Sequence, residues 1–414
     1  MNSDTMQGVS RRSFMRILGA ASAATSFPAF AATQQMGTAT AQPVKPVRAR
    51  SIQYSPDTVV ISANENPLGP AQSALTAIGS AAKQGGRYHF DEYAKTTAVF
   101  NELFELRNDY SAFYPGSSSP LDHALMSNIG PDKPLVYGDP SYEQGPHAAD
   151  RMKAPKFPVP LTATYAHDVR AMLKAHPSPG AYYIVNPNNP TGTMTPKADL
   201  VWLVNNKPKG SVVIIDEAYF HFCEDESCID LVKQDKDVIV MRTFSKIYGM
   251  AGLRAGFAVA RPDLIERFNK VDLSGQGAGS VSIATAAAAR ASLQDKDLVP
   301  LRKKINSDIR AETLEFLTKR GYKIVPGSQG NMFMIDVKRP GKEFQMAMLK
   351  ENVAIGRTWS AMPNYVRVTV GTKSEMEKFQ TAFVKCMDTP PGNANGAAEL
   401  HFPEFHVPSE LYRG

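Results

Sequence analysis

Short runs of apolar, β-branched residues recur through the middle of the chain, and helix-like segments separate them. The clearest runs are residues 134–137, 181–185, 211–215 and 237–241. Each run is apolar on both faces, which is typical of strands buried inside a mainly parallel sheet. Stretches such as 198–205 and 262–271 have the composition of covering helices. Because such a sheet needs helices on both faces, the alternation predicts a three-layer α/β fold.

The pattern changes after about residue 300, where a long charged helix is predicted over 301–320 and further strands follow. This change predicts a second, smaller α+β domain. We predict three segments: a large α/β domain from 89–325, a small domain from 51–88 together with 326–388, and a Pro-containing tail over 389–414.

The N-terminus resembles an export signal. Arg11-Arg12 precedes an apolar run that is much less hydrophobic than a membrane span, and Ala29-Phe30-Ala31 has the small-x-small form of a processing site. Because these features occur in the order of a twin-arginine signal, we predict a signal peptide over 1–31 and a linker over 32–50. The prediction places the mature protein in the periplasm, with the twin-arginine (Tat) export machinery as a partner. The alternative is a chance basic pair before a short core helix.

Charge and cysteine content narrow the function classes. The net charge of the whole chain is +6 with no basic stripe, so nucleic-acid binding is not predicted. No later stretch reaches the ~18 apolar residues that a transmembrane helix needs. The three cysteines, Cys223, Cys228 and Cys386, are not a disulfide framework. Buried thiols, a bond between the first two, and a metal site that includes His221 stay open as alternatives; we predict no metal.

Polar motifs follow three of the predicted strands directly. They read Asp216-Glu-Ala-Tyr219 after 211–215, Thr243-Phe-Ser245-Lys246 after 237–241, and Asn186-Pro-Asn-Asn189 after 181–185. Parallel strands end at the same edge of a sheet, and α/β sheets bind ligands at that edge. We therefore expect the three motifs to lie close together.

The residue types in these motifs suit one kind of cofactor. The Lys246 amine can form an imine with an aldehyde when a cation lies nearby, and Arg254 can be that cation or hold a phosphate. A carboxylate such as Asp216 can pair with a protonated pyridine nitrogen. Asn189 and Tyr219 can donate hydrogen bonds to a phenolate oxygen. Each residue alone has an ordinary structural explanation, so the prediction rests on their order and spacing.

Together the motifs resemble those of the fold-type I pyridoxal 5'-phosphate (PLP)-dependent aminotransferases of class I/II. Over residues 58–385 the chain is most similar to the histidinol-phosphate aminotransferase group, whose N-terminal signature the stretch Ser62-Ala-Asn-Glu-Asn66-Pro-Leu-Gly-Pro70 resembles. The resemblance implies an aspartate-aminotransferase-like fold with a PLP-binding large domain. It also implies an amino donor, a keto-acid acceptor and a homodimer.

The resemblance further implies a role for each matching residue. Lys246 is then the catalytic Schiff-base lysine and proton shuttle, Asp216 the partner of the pyridine nitrogen, and Tyr142 the aromatic ring that stacks on PLP. The other implied cofactor contacts are Gly116, Ser117, Ser118, Asn189, Tyr219, Thr243, Ser245 and Arg254. The predicted substrate contacts are Arg367, which receives the α-carboxylate, Asn66 and Arg357.

Two sequence features favour a substrate other than histidinol phosphate. The phosphate loop lacks the acidic residue that the family usually carries after the serines, and 274–280 is unusually rich in glycine. Together with the predicted export, they favour an α-amino acid, or the amino-acid end of a larger periplasmic molecule such as a pyoverdine siderophore precursor. The alternatives are a PLP-dependent oxidase or decarboxylase, a cytoplasmic histidinol-phosphate or aromatic aminotransferase, and a non-enzymatic regulator on this fold.

Overall fold

The structure, a computed structural model, describes residues 54–272 and 280–389 of the 414-residue chain. The predicted signal peptide, the linker, the glycine-rich residues 274–279 and the tail beyond residue 389 lie outside the described residues. In the described part, no helix is long and apolar enough to cross a membrane.

The described chain alternates strands and helices for most of its length. The strands are β1 (Val59–Ile61), β2 (Ser111–Tyr114), β3 (Leu135–Asp139), β4 (Lys156–Pro160), β5 (Ala181–Val185), β6 (Val212–Asp216), β7 (Val238–Thr243), β8 (Gly256–Val259), β9 (Met332–Asp336), β10 (Val353–Ile355) and β11 (Tyr365–Thr369). The α-helices are α1 (Gln72–Ala82), α2 (Asp91–Phe104), α3 (Ser118–Met126), α4 (Gln144–Arg151), α5 (Val169–Ala175), α6 (Lys197–Asn206), α7 (Ile229–Lys233), α8 (Pro262–Lys270), α9 (Ile283–Gln294), α10 (Leu298–Lys319), α11 (Gly341–Lys350) and α12 (Lys373–Asp388).

A seven-stranded sheet forms the centre, in the order β2-β8-β7-β6-β5-β3-β4. Strands β3 to β7 are parallel, and β8 runs antiparallel to both of its neighbours. Alternate residues of β5 belong to different core clusters: Tyr182 and Ile184 pack on one face, Tyr183 and Val185 on the other. Helices cover both faces, which explains why these strands are apolar on both sides. The predicted α/β class is confirmed.

The element boundaries agree closely with those expected from the sequence. The runs predicted as strands become β3, β5, β6 and β7, each displaced by two residues or fewer at either end. Helix α8 begins at Pro262, whose ring suits the first helical position. Helix α12 begins with a capping box between Thr372 and Glu375.

Two small sheets lie outside the central one. Strand β1 pairs in parallel with β10, and β9 pairs antiparallel with β11. Their apolar residues form a separate core with α11 and α12, so chain segments nearly 300 residues apart build one unit. Helix α1 lies in the segment assigned to the small domain, yet its Ala74 belongs to the core of the large sheet. The domain boundaries therefore stay predictions.

Candidate active site

The motifs singled out in the sequence meet at the carboxyl edge of the central sheet. Asp216 is the last residue of β6 and Thr243 is the last residue of β7. Asn189 follows β5, and Tyr142 follows β3. Since these four strands are parallel, the edge brings together side chains that are up to 101 positions apart in the sequence.

Asp216 is a buried carboxylate at this edge. Its two oxygens accept hydrogen bonds from the Tyr183 hydroxyl at 3.2 Å and from the Ala218 N–H at 3.1 Å. Burial raises the pKa of Asp216 to about 6, while the positive charge of Lys246 opposes the shift. No cationic side chain of the described residues forms an ion pair with it. A protonated pyridine nitrogen would supply the missing cation, so this residue fits PLP.

Lys246 is half-buried in the loop after β7. Its Nζ donates a hydrogen bond of 3.3 Å to the carbonyl of Ala63 and lies 5.4 Å from the centre of the Tyr219 ring. The Tyr219 hydroxyl accepts a 3.1 Å hydrogen bond from the Asn64 amide. The Tyr219 hydroxyl proton can therefore be donated to a phenolate oxygen of a ligand in the site.

An anion-binding cup lies where α3 begins. Ser117 is the N-cap residue, and its side chain does not cap the first-turn N–H groups. Arg254 closes over this turn: a Cβ at Gly116 would lie 2.3 Å from its Nη2. The other end of the guanidinium donates to the Ser245 hydroxyl at 3.2 Å, and that hydroxyl is 3.0 Å from the Thr243 hydroxyl. A helix N-terminus faced by a guanidinium suits a phosphate.

The glycine at position 116 is required by the backbone as well as by the cup. Its φ is +88°, in the region that L side chains rarely adopt. Ser118 begins the helix, and Pro120 lies in its first turn. The loop that the sequence assigned to the phosphate thus has the geometry for that task.

Arg367 lies on β11, 6% exposed, and reaches the same edge from the small sheet. Its Nη1 donates to Asn189 at 2.7 Å, its Nη2 donates to the Ser62 carbonyl, and its Nε has no partner among the described residues. Burial lowers the pKa of Arg367 to about 10. A buried guanidinium with donors left over can receive a carboxylate.

Two further predicted contacts, Tyr142 and Asn66, differ in what surrounds their side chains. Tyr142 is half-buried, and desolvation raises its pKa to about 12, with the charges of Tyr219 and Asp216 acting in the same direction. Asn66 donates to the Ile247 carbonyl at 3.0 Å, so its side chain holds the loop beside Lys246. Its assignment to substrate binding stays a prediction.

Four residues of the site are not predicted from the sequence. Asn64 is fully buried with φ +54° and holds Tyr219, although it lies within the recognised signature. Tyr183 has a strand position that reads as apolar, but its hydroxyl contacts Asp216. Trp359 donates from its indole to Ser141 at 3.1 Å. Glu143 pairs with Arg357. None of the four pairings has a local sequence signal.

The cysteines do not form a bond in the structure. Cys223, Cys228 and Cys386 are free and buried. His221 lies within 3.2 Å of the Arg242 guanidinium instead of a thiolate. Across residues 54–272 and 280–389, no cluster of three or more His, Cys, Asp or Glu is arranged to hold a metal ion.

The model of the family described as aminotransferase class I and II matches residues 56–383. The chain belongs to that family. A histidinol-phosphate aminotransferase 1 from Nitrosococcus oceani is 31% identical, over 85% of this chain and 95% of the relative. A provisionally assigned histidinol-phosphate aminotransferase from Erwinia carotovora atroseptica has a crystal structure with a TM-score of 0.75 at 29% identity, covering 79% of this chain and 95% of that one. The crystal structure of histidinol-phosphate aminotransferase from Sinorhizobium meliloti in complex with PLP has a TM-score of 0.71 at 22% identity, covering 79% of this chain and 90% of that one.

Membership makes the chain a PLP-dependent aminotransferase, and the aspartate-aminotransferase-like fold is confirmed. When bound, PLP supplies an electron sink for the bond that breaks at the amino-bearing carbon. The chain's own residues do the rest. The cup around Arg254 would hold the phosphate, Asp216 would face the pyridine nitrogen and favour its protonated form, and Arg367 would orient the substrate. Lys246 would supply the amine that holds the aldehyde cofactor and would be the group placed to move a proton.

Proposed function

We propose that this aminotransferase works outside the cytoplasm on an α-amino acid or on the amino-acid end of a larger molecule, for example a pyoverdine siderophore precursor. The observation that carries the proposal is the buried guanidinium of Arg367, which donates to Asn189 and whose Nε has no partner in the part of the chain that the structure describes. An α-carboxylate satisfies that guanidinium with two parallel hydrogen bonds.

The position of Arg367 also supports recognition of one end of a long molecule. It contacts the Ser62 carbonyl, and the next residue, Ala63, contacts Lys246. The carboxylate receptor and the reactive amine are therefore held by neighbouring residues of one short segment. This arrangement supports recognition of the atoms around the amino-bearing carbon, which both ends of the segment face.

Export is supported by the order of Arg11-Arg12, the apolar run and Ala29-Phe30-Ala31. A protein that must take up a phosphorylated cofactor before it leaves the cytoplasm has a physical reason to use a route for folded proteins. N-terminal sequencing of the protein from a periplasmic extract is expected to begin after residue 31. A chain recovered only from the cytoplasm with residues 1–31 intact contradicts this part of the proposal.

We also propose a homodimer. Among the described residues, large exposed apolar side chains gather on and between α1 and α2, and Tyr88, 80% exposed, stacks on Phe90 with ring centres 5.4 Å apart. An exposed apolar patch favours an interface between proteins. Light scattering on the mature holoenzyme is expected to give twice the chain mass.

A screen of amino donors tests the activity. Purified mature protein with PLP is mixed with amino acids, a siderophore precursor and histidinol phosphate, with and without a keto acid. The loss of cofactor absorbance identifies donors, and product formation over many cycles measures turnover. We expect turnover to continue only when a keto acid is present. An oxidase or decarboxylase continues without one, and that result contradicts the reaction type.

Histidinol phosphate is the second candidate donor, favoured by the relatives at about 31% identity. The screen includes it because it carries a phosphate in place of the α-carboxylate. A value of kcat/KM for histidinol phosphate above that of every carboxylate-bearing donor replaces the first proposal with the second. Deleting the gene provides an independent test: the exported siderophore mass profile is expected to change.

A further inference from the structure

A charged pair borders the substrate side of the site. Glu143 is the N-cap residue of α4, directly after Tyr142, and its side chain does not cap its own helix. It forms an ion pair with Arg357 instead. The assignment of Arg357 as a substrate contact stays a prediction; in the structure its charge is paired within the chain.

The pair is close to the receptor for the substrate carboxylate. Both guanidinium groups lie near the indole of Trp359, with the Arg357 Cζ 4.8 Å and the Arg367 Cζ 5.3 Å from the ring centre. The same indole donates to the Ser141 carbonyl. The loop that carries Glu143 therefore makes two contacts with the segment that carries Arg357, the Trp359–Ser141 hydrogen bond and the Glu143–Arg357 ion pair.

The balance of charge follows from these contacts. Arg367 and Arg357 are positive and Glu143 is negative, so the three groups carry one net positive charge, which one substrate carboxylate neutralises. The side chains of Arg357 and Glu143 are only 22% and 35% exposed, so water screens them incompletely. A second anionic group on the substrate would meet a cation that is already paired and a carboxylate of its own sign.

We infer that Glu143, by holding Arg357, is a specificity-determining residue that selects donors with a neutral or basic side chain against donors with an acidic or phosphorylated one. This inference rests on the proposed function, since it concerns the side-chain end of a donor whose α-carboxylate binds Arg367. It assigns a substrate class: α-amino groups next to one carboxylate, with no second anion near it.

L-glutamate and L-glutamine test the inference, because they are nearly isosteric and differ by one charge. The ratio of their kcat/KM values is measured in the wild-type holoenzyme, in Glu143→Gln and in Arg357→Gln. We expect glutamine to be preferred by the wild type, and Glu143→Gln to raise the glutamate-to-glutamine ratio roughly ten-fold or more. Arg357→Gln is expected to lower the ratio. Because each ratio is taken within one variant, differences in folding or cofactor loading cancel.

The double variant Glu143→Gln, Arg357→Gln is the matched control, since it restores the net charge of the wild type. Its ratio is expected to return to within about three-fold of the wild-type value, which a merely structural effect of either substitution would not produce. The dissociation constants of glutarate and its monoamide, read from cofactor absorbance, give the corresponding ratio without turnover. An unchanged binding ratio in Glu143→Gln overturns the inference, whereas absence of turnover with every donor overturns the proposed function alone.

Discussion

The cofactor side and the substrate side of this site are built in different ways. On the cofactor side, Asp216, Lys246 and Arg254 come from strand ends and loops of one sheet within 39 consecutive positions. On the substrate side, Arg367 and Arg357 come from the small sheets and meet residues near the N-terminus and near α4. The geometry of the cofactor side is determined by motifs that lie close together in the sequence, at one edge of the central sheet. The geometry of the substrate side is determined by how distant chain segments pack against each other.

Replacing Lys246 gives the largest expected effect and tests the cofactor side. Lys246→Ala removes the amine that lies 3.3 Å from the Ala63 carbonyl and 5.4 Å from the centre of the Tyr219 ring. We expect turnover to fall roughly 1,000-fold or more, because both covalent attachment and proton transfer are lost. Single-turnover kinetics and borohydride trapping of the cofactor measure it. Lys233→Ala, a salt-bridged lysine elsewhere on the molecule, is the control; trapping that survives in Lys246→Ala contradicts the assignment.

Asp216 allows a test by pH in the cofactor-free protein. Its pKa in the folded chain is raised to about 6, so the native state holds the proton more tightly than the unfolded chain does. The stabilising contribution is present below the unfolded pKa and is lost as the pH rises through about 6. Relative to Asp216→Asn, wild-type apoprotein should lose about 2 kcal/mol of unfolding free energy between pH 4 and pH 7.

Denaturant unfolding of both apoproteins at several pH values measures this difference. Asp132→Asn, at an exposed position, is the control and should follow the wild type. Parallel pH profiles for Asp216→Asn and the wild type would show that the buried carboxylate is already balanced by another group. The cofactor-bound protein should show a smaller pH dependence, since the pyridine nitrogen then pairs with the carboxylate.

Arg367→Lys tests whether the two sides are separable. A lysine keeps the charge but loses the fork that contacts Asn189 and the Ser62 carbonyl. We expect kcat/KM for carboxylate-bearing donors to fall roughly 30-fold or more, with the dissociation constant of PLP changed less than about three-fold. An equal loss of PLP affinity would show that the cofactor side and the substrate side are coupled, and would contradict their separate construction.

Gly116→Ala is expected to have the smallest of these effects, confined to the cofactor side. The new methyl group would meet the Arg254 guanidinium, and the φ of +88° adds backbone strain. The end of a long side chain can yield, so we expect PLP to bind about ten-fold more weakly. Equilibrium titration of the apoprotein with PLP measures it. Gly210→Ala, at φ +89° with open space around its Cβ, separates strain from crowding.

The sequence predicts the cofactor side of the site better than the substrate side. The strands were recognisable because β5, β6 and β7 are buried on both faces, and the motifs after them lie within five positions of a strand end. The cup around Gly116 is predicted only by the resemblance to the family, because no strand is predicted before it. The contacts Asn64–Tyr219 and Glu143–Arg357 join segments 155 and 214 positions apart. They depend on how the small sheets dock, which no local pattern encodes.

One feature of β1 links the two sides. The three residues that follow this short strand touch Arg367 through Ser62, Lys246 through Ala63 and Tyr219 through Asn64. Suppose that a donor binds only when residues 62–64 are packed against the site. Its binding then stabilises the packed state of this segment over the frayed state, by an amount set by the binding free energy. Donor binding therefore orders the segment that contacts both the reactive amine and the carboxylate receptor. Amide hydrogen exchange along 62–64 should slow as the donor concentration rises.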